Sequence, residues 1–167
     1  MAGDHGQDPR EKARWQALGR LGVREYSAAE MRQYLKRKGH DEAVARDVVE
    51  ALVAEGSLSE ARFAGAIARE QFIRDKGPMK VAQRLRSKGV ALPMSEVRKL
   101  YSEAASGGSG EADTNGERAA IESILERRYP DAKTDPNEKR KAYQALMRRG
   151  FSPELISRCL GMALYRD

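Results

Sequence analysis

Apolar side chains recur along this chain at intervals of three and four residues, and alternating apolar runs between hairpin turns are absent. The first stripe is Trp15, Leu18 and Leu21, which predicts a helix from near Glu11, buried on that face and ended by Gly22. Ser27-Ala28-Ala29-Glu30 is a capping box, a serine to take an orphan N–H and a glutamate to reach back. The helix it opens places Met31, Tyr34 and Leu35 on one face and runs to Lys38. Asp41 caps a third, striped by Val44, Val48 and Leu52 with Val49 and Val53 beside them, and Gly56 closes it. A second group of three follows. Phe63, Ala66, Ile67 and Phe72 mark its first helix, from near Ser59. Met79, Val81, Ala82 and Leu85 line the next after the Gly77-Pro78 turn, and Met94, Val97, Leu100 and Tyr101 the one after Pro93. In the last group, Ile121, Ile124 and Leu125 share a face from Glu117 to the stop at Tyr129-Pro130. Asp135-Pro136-Asn137-Glu138 starts a helix carrying Tyr143, Leu146 and Met147, and Ser152-Pro153 starts one carrying Leu155, Ile156, Cys159 and Leu160.

The grouping is reinforced by one signal used three times. Leu35-Lys36-Arg37-Lys38-Gly39, Leu85-Arg86-Ser87-Lys88-Gly89 and Leu146-Met147-Arg148-Arg149-Gly150 each read as a last helical turn. A core leucine and cations complementing the C-terminal dipole are followed by a glycine at the left-handed stop. The leucines lie 50 and 61 residues apart, which predicts an internal repeat. The reading is all-α, three tandem three-helix repeats. Residues 1–10 form a disordered tail, 11–56 the first repeat, 57–105 the second, 106–116 a flexible Gly/Ser-rich linker and 117–167 the third. At 40% hydrophobic and 6% aromatic, the 167 residues are poor in core material, which favours an elongated array over one deep globule.

Charge changes the picture more than composition does. The net charge of +6 is unevenly distributed. The middle helix of each repeat with its stop glycine carries +3 (residues 27–39), +5 (76–89) and +3 (135–150), so the rest of the chain is acidic. The cations singled out as a partner-binding surface are Lys36, Arg37 and Lys38, Lys80, Arg84, Arg86 and Lys88, and Lys139, Arg140, Lys141, Arg148 and Arg149. A helix-turn-helix reader would place the third helix of the first repeat in the major groove. That helix, from Asp41 to Glu55, has five acidic residues against Arg46, net −4, which argues against operator reading. Non-specific phosphate contact and docking on an acidic protein surface both remain open.

Catalytic chemistry finds no constellation. His5 sits in the tail and His40 at a helix stop, neither beside a nucleophile or a set of metal ligands, and no phosphate loop is present. Cys159, the single cysteine, falls at helical spacing among Leu155, Ile156 and Leu160 and reads as a small buried hydrophobe. No apolar run reaches the roughly 18 residues a membrane span needs, and no signal-peptide core opens the chain. The expectation is a soluble, cytoplasmic, non-enzymatic monomer with no metal or cofactor.

Arg24-Glu25-Tyr26-Ser27 with Glu30, Gly56-Ser57-Leu58 leading into Ala61-Arg62-Phe63-Ala64, Lys76-Gly77, Leu85 to Gly89 and Leu146 to Phe151 follow one another in an order and spacing that resembles the RecX regulatory proteins, from Ala17 to Leu164. Ser59-Glu60 stands where the family usually has an acidic pair. The resemblance implies a curved array of three-helix repeats that lies in the groove of a RecA filament on single-stranded DNA and inhibits it. The inhibition would cover filament growth, ATP hydrolysis, strand exchange and coprotease activity. The alternatives are a module that binds single- or double-stranded DNA non-specifically without RecA, and a helical scaffold for another protein.

Overall fold

The structure, a computed structural model, describes residues 8–107 and 115–162. Most of the expected tail and linker, residues 1–7 and 108–114, therefore lies outside the described residues, as do the last five residues of the third repeat; Pro9 and Arg10 of the expected tail and Gly116 of the expected linker are helical. The described residues form nine α-helices and no strand. These are α1 (Pro9–Leu21), α2 (Ala28–Arg37), α3 (Glu42–Ala54), α4 (Glu60–Ile73), α5 (Pro78–Ser87), α6 (Met94–Ala105), α7 (Gly116–Arg128), α8 (Pro136–Arg149) and α9 (Pro153–Cys159). They fall into two compact units. One holds the chain to Ala64 with Ser87–Val90, the other Gly65–Arg86 with the chain from Ala91 onward.

In the first unit α1, α2 and α3 pack on one another around Met31, Leu35, Val48, Val49, Leu52 and Leu58. The face of α1 is not the expected one. Trp15 is 79% exposed and Leu18 39%, while Ala13 and Ala17 are fully buried. Two alanines four residues apart let the α1 backbone approach α3 closely, and Leu21 completes that stripe at the edge of the core. Helix α1 also starts two residues early, because Asp8 accepts from the Arg10 N–H at 3.0 Å with Pro9 at the first helical position. Val53, expected beside the stripe of α3, is half exposed.

In the second unit α7 packs on α6 and α9, and α8 on α9. Tyr101 meets Phe72 and Phe151 edge to face, with ring centroids 5.7 and 6.4 Å apart, and Ile121, Ile124, Leu146 and Ile156 are buried. Met79 and Met147, expected in the core, are half exposed. Pro78 and Ala145 take the inward positions instead.

The repeated stop is real at all three positions: Gly39, Gly89 and Gly150 have φ of +90°, +79° and +87°. At the first, the His40 N–H reaches the Leu35 carbonyl at 3.2 Å and the Gly39 N–H the Lys36 carbonyl at 3.0 Å. At the third, Phe151 to Leu146 (3.3 Å) and Gly150 to Met147 (3.0 Å) make the same pair of bonds.

Candidate partner-binding surface

Two of these helix ends do more than stop. In the second unit the end of α8 meets the start of α5. The Gly77 N–H donates to the Arg149 carbonyl at 2.8 Å and the Met79 N–H to the Gly150 carbonyl at 3.1 Å. Orphan donors of one helix thus satisfy orphan acceptors of another, and opposite dipole ends meet. Asp75, held in the left-handed region at φ 55°, pairs with Arg127 at 2.9 Å and Arg128 at 3.0 Å, and its carbonyl accepts from Arg149 at 3.2 Å. Burial would raise the Asp75 carboxyl, but the hydrogen bonds and attraction of Arg127 and Arg128 outweigh it and hold it below the usual range.

In the first unit the segment after α5 meets the start of α2 in the same manner. The fully buried Ser27 hydroxyl donates to the Lys88 carbonyl at 2.7 Å while accepting the Glu30 N–H at 3.1 Å. The expected capping box is half formed, because the Glu30 carboxylate turns to Lys88 at 2.6 Å and Arg24 at 3.2 Å. Burial pushes the Glu30 carboxyl up; those two cations pull it further down, for a net lowering. Arg24 also stacks 3.6 Å from the Tyr26 ring centroid. Arg62 ties Glu25 at 2.9 Å to the Gly56 and Ser57 carbonyls.

These contacts sort the twelve cations. Lys88 and Arg149 are half-buried and hold the two junctions together. Lys36 pairs with Glu42 at 3.2 Å, Lys38 lies 5.9 Å from the Tyr34 centroid, Lys80 donates to Gln83 at 3.2 Å and Lys141 to Glu138 at 2.8 Å. Arg37, Arg86, Arg140 and Arg148 are exposed, with no hydrogen-bond or ion-pair partner among the described residues, and Lys139 is half-buried without one. Arg84 is exposed. Arg32, not singled out in the sequence because it precedes the last turn of α2, is likewise exposed and unpaired. Together with Lys36 and Arg37 it lines an α2–α3 groove of about 770 Å³. Among the described residues no cluster of His, Cys, Asp or Glu could hold a metal ion, and no helix is long and apolar enough to cross a membrane.

Three family profiles match in tandem: "RecX, first three-helix domain" over residues 13–52, "RecX, second three-helix domain" over 59–92 and "RecX, third three-helix domain" over 116–160. The regulatory protein RecX of Halorhodospira halophila is 35% identical over 147 residues, 87% of this chain and 84% of that protein. The chain belongs to the RecX family. RecX of Chromohalobacter salexigens is 31% identical, covering 88% of this chain and 90% of its own. The fold is shared with the crystal structure of RecX from Lactobacillus salivarius, with a TM-score of 0.67 at 19% identity over 92% of this chain and 96% of that one. The residues that carry the RecX resemblance are largely those of the two junctions: Arg24 to Glu30, Arg62, Lys88-Gly89, Gly77 and Arg149-Gly150. Much of that signature thus holds the two junctions together, while Arg86 and Arg148, which lie within it, are exposed.

Proposed function

We propose that this RecX-family chain binds the RecA filament on single-stranded DNA and negatively modulates its recombinase, ATPase and coprotease activities, by binding rather than by catalysis. The observation that carries this is the segregation of positive charge on the middle helices, +11 within a chain of net +6, combined with membership of a family of regulatory proteins. An anionic polymer offers the same surface again and again. Several modest contacts on one chain then reinforce one another where their spacing matches it. Of the twelve cations, those with reachable ammonium or guanidinium groups form the contact surface: Lys36, Arg37 and Lys38 on α2 and its last turn, Lys80, Arg84 and Arg86 on α5, and Lys139, Arg140, Lys141 and Arg148 on α8. Lys88 and Arg149 keep the junctions that present them.

The test is RecA ATPase on single-stranded DNA with the chain added, wild type against Lys80→Glu/Arg84→Glu/Arg86→Glu. Wild type should inhibit, and the triple variant should inhibit much less while keeping its helical circular dichroism. Inhibition unchanged by the triple reversal rejects this surface. Absence of inhibition by the wild type, with tight binding to bare DNA, would favour a DNA-binding module acting without RecA.

A further inference from the structure

We propose that the join of α8 to α5 is a protein-docking surface, two outward methionines set among arginines, which takes an apolar side chain flanked by carboxylates. The inference rests on the filament-binding reading above and deepens it, assigning this part of the basic surface to the protein of the filament rather than to its DNA. Met147 lies in the last turn of α8 and Met79 in the first turn of α5. Gly150 stands between them: its carbonyl accepts the Met79 N–H at 3.1 Å, and its own N–H donates to the Met147 carbonyl at 3.0 Å. Met79 is 52% and Met147 40% exposed, while Val81 and Leu146 beside them are fully buried. Seven residues from each methionine, two turns along the same helical face and about 10 Å away, comes an arginine, Arg86 on α5 and Arg140 on α8. Both arginines are exposed, with no hydrogen-bond or ion-pair partner among the described residues, as is Arg148 beside Met147.

Residues 76–86 hold four cations and residues 139–153 five, and neither segment has an acid. Of the acids that border them, Asp75 is held by Arg127 and Arg128 and Glu138 by Lys141, which leaves Glu154 on the first turn of α9. The occupant is therefore acidic. Charge alone would serve a phosphate backbone, which has no apolar group to set against a thioether. Buried centres of protein interfaces, by contrast, are enriched in methionine and arginine. The flexible, polarisable methionine moulds to an apolar neighbour, and a guanidinium grips a carboxylate through two parallel bonds. A protein segment with an apolar side chain over Met79 and Met147 and an aspartate or glutamate toward Arg86, Arg140 or Arg148 satisfies both.

Two variants measured against RecA filaments on single-stranded DNA, and against the same DNA alone, test this. Met79→Ala/Met147→Ala should weaken filament binding about tenfold and leave bare-DNA binding and the melting temperature unchanged, since both side chains face outward. Met79→Lys/Met147→Lys adds two positive charges. It should also weaken filament binding, because it puts ammonium groups where an apolar contact belongs, yet tighten bare-DNA binding and steepen its salt dependence. In wild type, filament binding should protect Met79 and Met147 from peroxide oxidation to the sulfoxide, with Met162, 38% exposed, as the unprotected reference. The assignment is overturned if neither variant alters filament binding, or if the lysine variant tightens filament and bare-DNA binding together, since the join would then be holding phosphate. It is equally overturned if the alanine variant weakens both alike. A wild type that binds no filament sinks the broader reading and the docking with it, whereas wild-type binding that both variants retain sinks the docking alone.

Discussion

The junction between the end of α8 and the start of α5 makes a sharp prediction about Gly77. Its φ is unexceptional, so alanine is conformationally admissible there. A Cβ, however, would stand 2.4 Å from the Gly150 carbonyl oxygen and 2.6 Å from its carbon. These are backbone atoms that no side-chain rotation can move. Relief requires the two helix ends to part, which strains or breaks the Gly77–Arg149 and Met79–Gly150 hydrogen bonds. Overpacking costs about 1–3 kcal/mol and two backbone bonds about 1 kcal/mol each, so Gly77→Ala should destabilise by about 3–5 kcal/mol. Thermal unfolding of a chain this size should shift by about 10 °C. Two other glycines calibrate the measurement. Gly39 has open space around its missing Cβ but a φ of +90°, so alanine there should cost about 1–2 kcal/mol from backbone strain alone. Gly19 lies inside α1 with nothing within 4 Å, and alanine should stabilise by about 0.5–1 kcal/mol. The assay is differential scanning calorimetry of the three variants beside wild type. A Gly77→Ala melting point within the range of Gly39→Ala would refute the end-to-end junction.

Other consequences follow from single contacts. Tyr101 is fully buried and its hydroxyl has no partner among the described residues, with burial and then the nearby Glu117 and Asp75 pushing the phenol up; Tyr101→Phe should leave stability unchanged or raise it by about 1 kcal/mol in urea unfolding, and a loss of that size would mean the hydroxyl is bonded. Asp75→Ala should cost about 1–2 kcal/mol by releasing Arg127 and Arg128 from a partly buried carboxylate, read by thermal melting. Because the Asp75 and Glu30 carboxyls are both held below their ordinary values, their contribution is present above pH ~4 and is lost as the pH falls through the lowered values; wild type should therefore lose more stability on acidification than Asp75→Ala does. Trp15, the single tryptophan and 79% exposed, should emit as a solvated indole and be quenched freely by iodide, and a shielded, blue-shifted emission would contradict the observed face of α1.

Helix existence was legible in the sequence because each stop and start carries its own local chemistry. A glycine at φ near +90°, a proline at the first helical turn or an aspartate before it acts within a few residues. The face of α1 was not legible, since Trp15-Leu18-Leu21 and Ala13-Ala17-Leu21 both fit a helical period. Only the close approach of α3 decides for the alanines. Met79 and Met147 fell to the same ambiguity. Capping-box glutamates were read from local spacing, yet Glu30 answers to Lys88, 58 residues away, and Glu138 to Lys141. Buried Glu117, which accepts the Ser152 N–H at 2.7 Å near the start of α9, had no local signal at all. The cations were easy to find by counting. Separating Lys88 and Arg149, which hold junctions, from Arg37 and Arg148, which do not, required the fold.

The central claim, that the basic middle helices serve a nucleoprotein filament rather than bare DNA, is tested most directly by comparing affinities in one experiment. Fluorescently labelled chain is titrated with RecA filaments on single-stranded DNA and with the same DNA alone, each at two salt concentrations. Filament affinity should exceed bare-DNA affinity by at least about tenfold and decline less steeply with salt. Equal affinities with equally steep salt slopes would contradict it.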